Sequence, residues 1–336
     1  MHPGRFSILY RMEQLYCHEP LVNLNITSNL MFPCCESYIS FKDFKPYKIP
    51  TVIADTAWNS LQWKKFRKMI ASGDHSLCHN CPLYMRRETL FKTAEQLKEQ
   101  YGDAVYDFVT GKADNIPAPH TVLLSYDSTC NLACPTCRPG TFKQNPSLVA
   151  IYNLKAALPL STARHVVIAG DGEVCLSKHY LNDLARVPAD ATITLMSNGT
   201  LLNENFWGRL AELDAMRRVV QVNISCDGTR KPVFEATRRN GVFETFMENM
   251  HTLMEMKTQV GFRTKMRYTV STVNLGDYHN VPEFARRLGF DEIDISLAVV
   301  WERLVGNSVY LSENIITDDT TLAAVRTHAD KMMAEY

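Results

Sequence analysis

The sequence has no long apolar run, no excess of either charge and no hydrophobic segment at its amino end. A membrane-spanning helix needs about 20 mostly apolar residues; the 336 residues contain no such run, so we expect no transmembrane helix. Lysine and arginine total 36, and aspartate and glutamate also total 36. This balance gives no reason to expect nucleic acid or a membrane as a partner. The opening MHPGRFSILYRM is unlike a secretion signal, so we expect a cytoplasmic protein.

Cysteine, by contrast, is abundant, with ten residues in the chain. In a reducing compartment, clustered cysteines indicate metal or redox chemistry rather than disulfides. Cys130, Cys134 and Cys137 have the spacing C-x3-C-x2-C. A four-iron, four-sulfur cluster normally takes four thiolates, so three in one loop would leave one iron open to a substrate or cofactor. The alternative is a zinc site completed by His165 or His179.

The second half of the chain alternates between β-rich runs and helical patterns. Asn203 is a predicted helix N-cap, and Gly289 a predicted residue just after a helix. Six strands joined by helices predict an α/β fold with a parallel sheet. Six units are two short of an eight-fold barrel, so we expect a partial, open barrel with its functional site at the carboxyl ends of the strands. The predicted strands are 120–127, 165–170, 192–199, 219–228, 263–274 and 291–300.

The first 115 residues have a different pattern. They predict a hairpin with its turn near Ser28 and Asn29, a helix over 60–74 and a long helix near 86–110. A polar stretch at 111–120 with two prolines is a predicted linker, and a last helix is expected near 318–335. We therefore predict a small α+β domain at 1–115, the partial barrel at 116–300 and a helical extension at 301–336.

The cysteine loop CNLACPTC, placed directly after a first strand, resembles the radical S-adenosylmethionine (radical SAM) superfamily. The resemblance implies a partial (β/α)6 TIM-type barrel. It also implies a [4Fe-4S] cluster on Cys130, Cys134 and Cys137 that binds S-adenosyl-L-methionine (AdoMet) and cleaves it reductively to a 5′-deoxyadenosyl radical. An electron donor of the flavodoxin or ferredoxin type is implied as well.

Three further elements carry the resemblance along the chain. AGDGEV (169–174) is similar to the family's Gly-Gly-Glu-Pro element, and MSNGT (196–200) to its third-strand element. ISCDG (224–228) with RRNGVFE (238–244) is similar to its fourth-strand element. By this resemblance Gly172 and Glu173 contact the AdoMet amino group, Ser197 and Asn198 face the adenosine, and Ser225 and Arg238 bind the carboxylate, with Arg239 as the alternative arginine.

A second cysteine set lies in the first 81 residues, where Cys78 and Cys81 form a C-x2-C pair. Its pattern resembles the auxiliary-cluster modules called SPASM and twitch, and the shorter twitch fits better because ligands for only one cluster are present. These modules commonly follow the barrel, whereas here the set precedes it. The resemblance implies an auxiliary [4Fe-4S] cluster, and a tetrahedral zinc ion stays open as an alternative. The implied ligands are Cys17, Cys34, Cys78 and Cys81, with Cys35 as the alternative to Cys34.

The resemblance leads to three hypotheses about function. The first is an oxidoreductase that abstracts hydrogen from a C–H bond and passes the second electron to the auxiliary cluster, in dehydrogenation or peptide modification. The second is a redox-neutral epimerase in which Cys226 or Cys175 returns a hydrogen atom, although Cys226 also suits a small core residue. The third is a non-catalytic iron–sulfur or zinc scaffold. We expect a small-molecule substrate such as a sugar or cyclitol, or a short peptide.

Overall fold

The computed structural model describes residues 14–27, 30–34, 47–48, 57–78, 81, 90–138, 140–168, 171–298 and 314–336. None of the described helices is both long and apolar enough to cross a bilayer. The strands are β1 (Tyr16–Cys17), β2 (Asn23–Thr27), β3 (Leu30–Phe32), β4 (Tyr47–Lys48), β5 (Phe91–Lys92), β6 (Thr121–Ser125), β7 (His165–Ile168), β8 (Thr192–Ser197), β9 (Val219–Ser225), β10 (Arg263–Val270) and β11 (Glu292–Leu297).

Helices connect these strands. They are α1 (Glu19–Val22), α2 (Leu61–Ala71), α3 (Ala94–Tyr101), α4 (Asp103–Val109), α5 (Pro146–Leu160), α6 (Lys178–Leu184), α7 (Glu204–Glu212), α8 (Lys231–Thr237), α9 (Phe243–Val260), α10 (Val281–Leu288) and α11 (Asp319–Glu335).

Six parallel strands, β6 to β11, lie side by side in the order in which they occur in the chain. Each lies within one of the predicted β-rich runs, and residues 169, 170, 299 and 300 of those runs lie outside the described residues. The predicted α/β fold with a parallel sheet is therefore confirmed. Because parallel strands share one direction, their carboxyl ends lie along one edge of the sheet, and the loops that follow them meet there.

The amino-terminal hairpin extends this same sheet. Strand β2 pairs in parallel with β6, so that Asn23 lies opposite Thr121 and Thr27 opposite Ser125. Strand β3 then returns antiparallel to β2, as the sequence predicts, while the turn itself at residues 28–29 lies outside the described residues. Among the described residues the sheet has nine strands, and β1 pairs separately with β5.

Local sequence signals account for several helix ends. The Asn203 side chain accepts a hydrogen bond from the Phe206 N–H, which confirms the predicted N-cap of α7. Gly289 follows α10 with a φ of 89°, which confirms the other predicted helix end. The single long helix predicted near 86–110 is wrong over its described part. Gly102, with a φ of 90°, separates α3 from α4, because glycine enters this region of φ without a steric cost.

Candidate active site

The three cysteines of C-x3-C-x2-C lie on the loop that leaves the carboxyl end of β6. Cys130 and Phe142 exchange backbone hydrogen bonds of 2.8 and 3.3 Å, which close the loop at its two ends. The Cys137 N–H donates to the Cys134 carbonyl at 2.9 Å in a tight turn. Cys134 interacts electrostatically with both other thiols. The three predicted ligands therefore lie on one closed loop and within electrostatic reach of one another.

Burial and two arginines set the electrostatics of these thiols. Burial raises the pKa of Cys134 to about 11, against the opposing effect of Arg238. It also raises the pKa of Cys130, where the Leu132 N–H and Arg138 act in the opposite direction. A cysteine binds metal as a thiolate. Burial opposes the formation of these thiolates, and the neighbouring guanidinium groups favour it. Such an environment suits a negatively charged metal cluster.

Gly172 lies against the cysteine loop so closely that no side chain fits there. A Cβ built on it would lie 2.3 Å from the Asp127 carbonyl oxygen and 2.5 Å from that of Thr129. The next residue, Glu173, donates its backbone N–H to the same Thr129 oxygen at 2.8 Å. This contact fixes the loop after β7 to the loop after β6, and it explains why glycine occupies the predicted position.

Glu173 is only 1% exposed and its carboxylate joins the ends of two strands. One oxygen accepts from the Ser197 hydroxyl at 2.7 Å and from the Cys175 N–H at 3.2 Å, and the other from the Asn198 N–H at 2.7 Å. Burial nevertheless raises its pKa, against these hydrogen bonds. The side chain thus orients Ser197 and Asn198.

Asn198 connects this network to the cysteine loop. Its amide nitrogen donates to the Asn131 side chain at 3.0 Å and lies 3.8 Å from the Cys130 sulfur. Its amide oxygen accepts from the hydroxyl of Thr200 at 2.6 Å. Four of the predicted AdoMet residues (Gly172, Glu173, Ser197 and Asn198) therefore lie in one contiguous network with a predicted cluster ligand.

Arg238 also lies against the cysteine loop. Its side chain is 11% exposed and pairs with Asp227 at 2.7 Å, and its Nη1 lies 3.6 Å from the Cys134 sulfur. Within the described residues its buried Nε has no hydrogen-bond partner. Arg239, the alternative, is exposed and contributes its backbone carbonyl to the Ala133 N–H. Ser225 ends β9 and is half-buried.

Two residues that the sequence analysis missed take part in this site. The Arg138 guanidinium donates to the carbonyls of Ser128 and Asp171 and interacts with the thiols of Cys130 and Cys137. Asp227 fixes Arg238, as described above. Their positions, directly after Cys137 and inside the ISCDG stretch, are the signal that could have identified them.

The two candidate hydrogen-atom donors occupy different settings. Cys226 is fully buried among core residues, its thiol donates to the Gly228 carbonyl at 3.2 Å, and burial raises its pKa to about 12. Cys175 follows Glu173, and burial together with that carboxylate raises its pKa well above the usual value. Of the two, Cys175 lies next to the Glu173 network.

Three of the four amino-terminal cysteines proposed as ligands interact with one another. Burial raises the pKa of Cys17, with smaller contributions from the charges of Cys78 and Cys81, so these three thiols lie near one another. The Cys81 N–H donates to the Cys78 carbonyl at 2.9 Å. Cys34 follows β3, and its carbonyl accepts from Asn25 at 2.5 Å. Cys35 lies outside the described residues.

The two histidines considered as zinc ligands lie in different places: His165 is far from the cysteine loop, and His179 is near its start. His165 begins β7, at the amino edge, and its two ring nitrogens contact the hydroxyls of Thr192 and Thr194 at 2.7 and 3.2 Å. It therefore does not join the three cysteines. His179 interacts electrostatically with Asp127. In the described part of the chain, no three His, Cys, Asp or Glu side chains are grouped so as to hold a single metal ion.

A cavity of about 430 Å³ lies near the amino ends of the strands. Its lining includes Tyr101, His120 and Arg164 together with apolar residues of α1 and of the segment before β6. None of the predicted cofactor residues lines it. It lies at the edge of the sheet opposite the cysteine loop.

Comparisons with known proteins give matches in structure only. No protein-family profile matches the chain, and no curated protein sequence does. The crystal structure of Streptococcus suis SuiB bound to S-adenosylmethionine matches with a TM-score of 0.51 and 12% identity, over 94% of this chain and 69% of SuiB. Native anSMEcpe with bound AdoMet matches with a TM-score of 0.40 and 16% identity, over 54% of this chain and 52% of anSMEcpe. TYW1 with a lysine-pyruvate adduct bound matches with a TM-score of 0.39 and 15% identity, over 64% of this chain and 71% of TYW1.

At such identities the likeness to SuiB establishes the fold, and the two lower scores add no weight to it. The SuiB match extends over nearly the whole chain. This chain therefore has the fold of the radical SAM enzymes, the superfamily that its motifs resemble.

Proposed function

We propose that this protein is a radical SAM oxidoreductase that removes hydrogen from a C–H bond of its substrate. The observation that carries the proposal is the meeting of four motifs at one edge of the sheet. The cysteine loop contacts Gly172 after β7, lies 3.8 Å from Asn198 after β8, and lies 3.6 Å from Arg238 beyond β9. A scaffold protein has no need for this arrangement.

In this proposal Cys130, Cys134 and Cys137 hold a [4Fe-4S] cluster. The cluster and AdoMet together supply a 5′-deoxyadenosyl radical when an electron arrives from a flavodoxin- or ferredoxin-type donor. Arg138 and Arg238 lie beside the three sulfurs and balance the negative charge that iron-bound thiolates bring. The hydrogen bond from Leu132 N–H to the Cys130 sulfur, at 3.5 Å, supports the same role.

The AdoMet residues divide by charge. Arg238 and Ser225, from the two stretches of the fourth-strand element, would bind the AdoMet carboxylate. A guanidinium is a geometrically matched partner for a carboxylate. Its unpaired buried Nε leaves a donor available for that group. Glu173 would orient Ser197 and Asn198 toward the adenosine, and its Oε2, which accepts one hydrogen bond, keeps an acceptor site for the AdoMet amino group. Gly172 would let the cofactor amino group approach the backbone.

The finer architecture belongs to the same proposal. Residues 116–300 would form the partial barrel, 301–336 a helical extension and 1–115 a twitch-like domain whose auxiliary [4Fe-4S] cluster binds Cys17, Cys34, Cys78 and Cys81. An auxiliary cluster on these four thiolates would have no open iron and would serve in electron transfer.

The proposal is tested by anaerobic reconstitution with iron and sulfide, followed by reduction in the presence of AdoMet. We expect 5′-deoxyadenosine, and we expect none from a Cys130→Ala, Cys134→Ala, Cys137→Ala variant. Addition of AdoMet should perturb the spectrum of the reduced cluster. A wild-type protein that holds its cluster but makes no 5′-deoxyadenosine would contradict the enzymatic proposal and favour a scaffold.

A further inference from the structure

Strands β9, β10 and β11 have one apolar face and one polar face. On the apolar face, Val222, Ile224 and Met266 are fully buried and pack in one core with residues of the helices, such as Phe246 and Phe284. The alternate positions of β9, β10 and β11 carry mainly polar side chains that are only partly buried. The inside of a parallel barrel is usually filled by bulky branched side chains, so a polar face of this kind indicates contact with something other than protein core.

Strand register arranges this face into two rows. In the upper row, Ser225 lies opposite Arg267, which lies opposite Asp294. In the lower row, Asn223 lies opposite Lys265, which lies opposite Glu292. We call these six residues the polar face. The upper row begins at Ser225, a proposed AdoMet residue, so the polar face extends from the proposed reaction centre toward the amino ends of the strands.

The charged side chains of the polar face are all engaged in ion pairs. Arg267 Nε lies 3.1 Å from Asp294, and Lys265 Nζ lies 2.7 Å from Glu292. The four side chains remain between 24% and 41% exposed, so each pair is open to a ligand on one side. Arg263 Nη2 lies 2.8 Å from the other Glu292 oxygen, so each of the three cations on this side of β10 already has a carboxylate partner.

Paired charges discriminate between ligand types. A carboxylate, phosphate or ammonium group would have to displace one member of a pair and leave the other without its partner, which is costly in a partly desolvated site. A hydroxyl group is both donor and acceptor, so it can donate to Asp294 and accept from Arg267 while the pair stays intact. Several hydroxyls on one ring could use both rows at once, with Asn223 and Ser225 as further partners.

We infer that the polar face binds the substrate, and that the substrate is a neutral polyhydroxylated small molecule of the sugar or cyclitol type. The inference deepens the proposed function. The position of the reacting carbon rests on that function, whereas the binding of the substrate to the polar face does not. It assigns Arg267 and Asp294 as the residues nearest the reacting carbon and Lys265 and Glu292 as those that hold the far side of the ring.

The test measures binding without reductant, so its outcome does not depend on radical formation. The reconstituted full chain is mixed separately with myo-inositol, methyl glucoside, AMP and the tripeptide Ala-Ser-Gly, and contact is read by saturation-transfer NMR. We expect transfer to the two polyols and none to AMP or the tripeptide. Failure of 5′-deoxyadenosine formation would overturn the proposed function while leaving this binding result standing.

A double variant then locates the binding. Arg267→Met with Asp294→Leu removes both charged partners without leaving one unpaired, and we expect polyol affinity to fall about tenfold or more, as for losing one or two charge-assisted hydrogen bonds. The matched control is Arg164→Met with Asp190→Leu, the same changes in an exposed pair of 2.6 Å beside the amino-end cavity. We expect this control to bind as the wild type does.

Three results overturn the inference: no transfer to either polyol, preferential transfer to AMP or the tripeptide, or polyol binding that the double variant leaves unchanged. Circular dichroism and a melting curve verify the fold of each variant. Should the double variant not fold, Asn223→Leu serves in its place, because it removes a hydrogen-bonding amide from the lower row without touching a charge pair.

Discussion

Arg238 and Asp227 form an ion pair at 2.7 Å in which both side chains are nearly withdrawn from solvent. The other Asp227 oxygen accepts from the Thr269 N–H at 2.8 Å, so β10 fixes the carboxylate and the carboxylate fixes the guanidinium. The guanidinium in turn lies against Cys134. A residue that the sequence analysis did not consider therefore determines the position of one that it did.

Replacing Asp227 should cost more stability than replacing any exposed acid. Asp227→Asn leaves Arg238 as a buried charge without its partner, and we expect the free energy of unfolding to fall by about 3–5 kcal/mol. Urea unfolding followed by circular dichroism measures it. Asp190→Asn, in the exposed pair with Arg164, is the control, with an expected change within about 0.5 kcal/mol. Equal losses in both variants would refute the structural role assigned to Asp227.

Gly172 and Gly208 should respond in opposite directions to alanine. The Cβ at residue 172 would overlap two backbone oxygens, and we expect a loss of about 1–3 kcal/mol together with weaker iron incorporation, because the loop must move. The Cβ at residue 208, on the exposed side of α7, meets nothing within 4 Å among the described residues, and we expect a gain of about 0.5–1 kcal/mol. Thermal unfolding and iron content distinguish the two.

Iron content should divide between the two cysteine sets. The wild type is expected to hold about eight irons per chain if both sites carry four-iron clusters. Replacing Cys130, Cys134 and Cys137 by alanine, or separately Cys17, Cys78 and Cys81, should remove about four irons each time. Iron, sulfide and zinc analysis with Mössbauer spectroscopy checks this. About four irons and one zinc ion in the wild type would instead assign the amino-terminal set to zinc.

Product analysis in D2O should separate oxidation from epimerisation. For the proposed oxidoreductase we expect a product two mass units lighter, with no solvent deuterium at the reacting carbon. Cys226→Ala should then reduce stability by about 1–3 kcal/mol, since it removes buried thiol contacts, while leaving the chemical outcome unchanged. Incorporation of one deuterium with inversion, abolished by Cys175→Ala or Cys226→Ala, would favour the epimerase instead.

Asp277 should make stability depend on pH in acid. Burial acts to raise its pKa, but hydrogen bonds from the Thr229 N–H and hydroxyl, from Arg230 and from Tyr268 lower it below the usual value. A lowered pKa means that stability is gained above the ordinary aspartate pKa of about 3.9 and lost as pH falls through the folded-state pKa.

Urea unfolding of the wild type and of Asp277→Asn from about pH 7 to about pH 3 measures this effect. We expect the variant to be less stable by about 1.5–3 kcal/mol near neutrality, the range for hydrogen bonds to a charged group, and the difference to shrink toward acid. Glu212→Gln, exposed on α7, controls for the loss of a carboxylate. A difference that stays constant over this range would show that the Asp277 charge is not what matters.

Sequence predicted what depends on local pattern and spacing. The parallel strands and the caps at Asn203 and Gly289 follow from periodicity and from residue type, and the structure confirms them. The break at Gly102 was missed because glycine is tolerated inside a helical pattern, and only the backbone angle shows that the helix ends there. The pairing of β2 with β6 joins residues about one hundred positions apart, which no local pattern encodes.

The same division holds in the candidate site. The spacing of the cysteines indicated that they would share a loop. The partners of Arg238 and Glu173 depend instead on which side chains three different strands bring to one edge, and so Asp227 and the Ser197–Asn198 network required the folded chain. Whether each cysteine set binds a cluster stays a prediction for the iron analysis.

The position of β2 beside β6 has a consequence for how the polypeptide can be divided. With β2 in place, β6 is flanked on both sides; without it, the backbone donors and acceptors on one side of residues 121–125 would face water as an unprotected edge, a template for intermolecular pairing. A fragment beginning near residue 116 would thus self-associate, and a separately added peptide spanning the hairpin would suppress that aggregation. During synthesis β2 has no parallel partner until β6, about one hundred residues further along, has emerged.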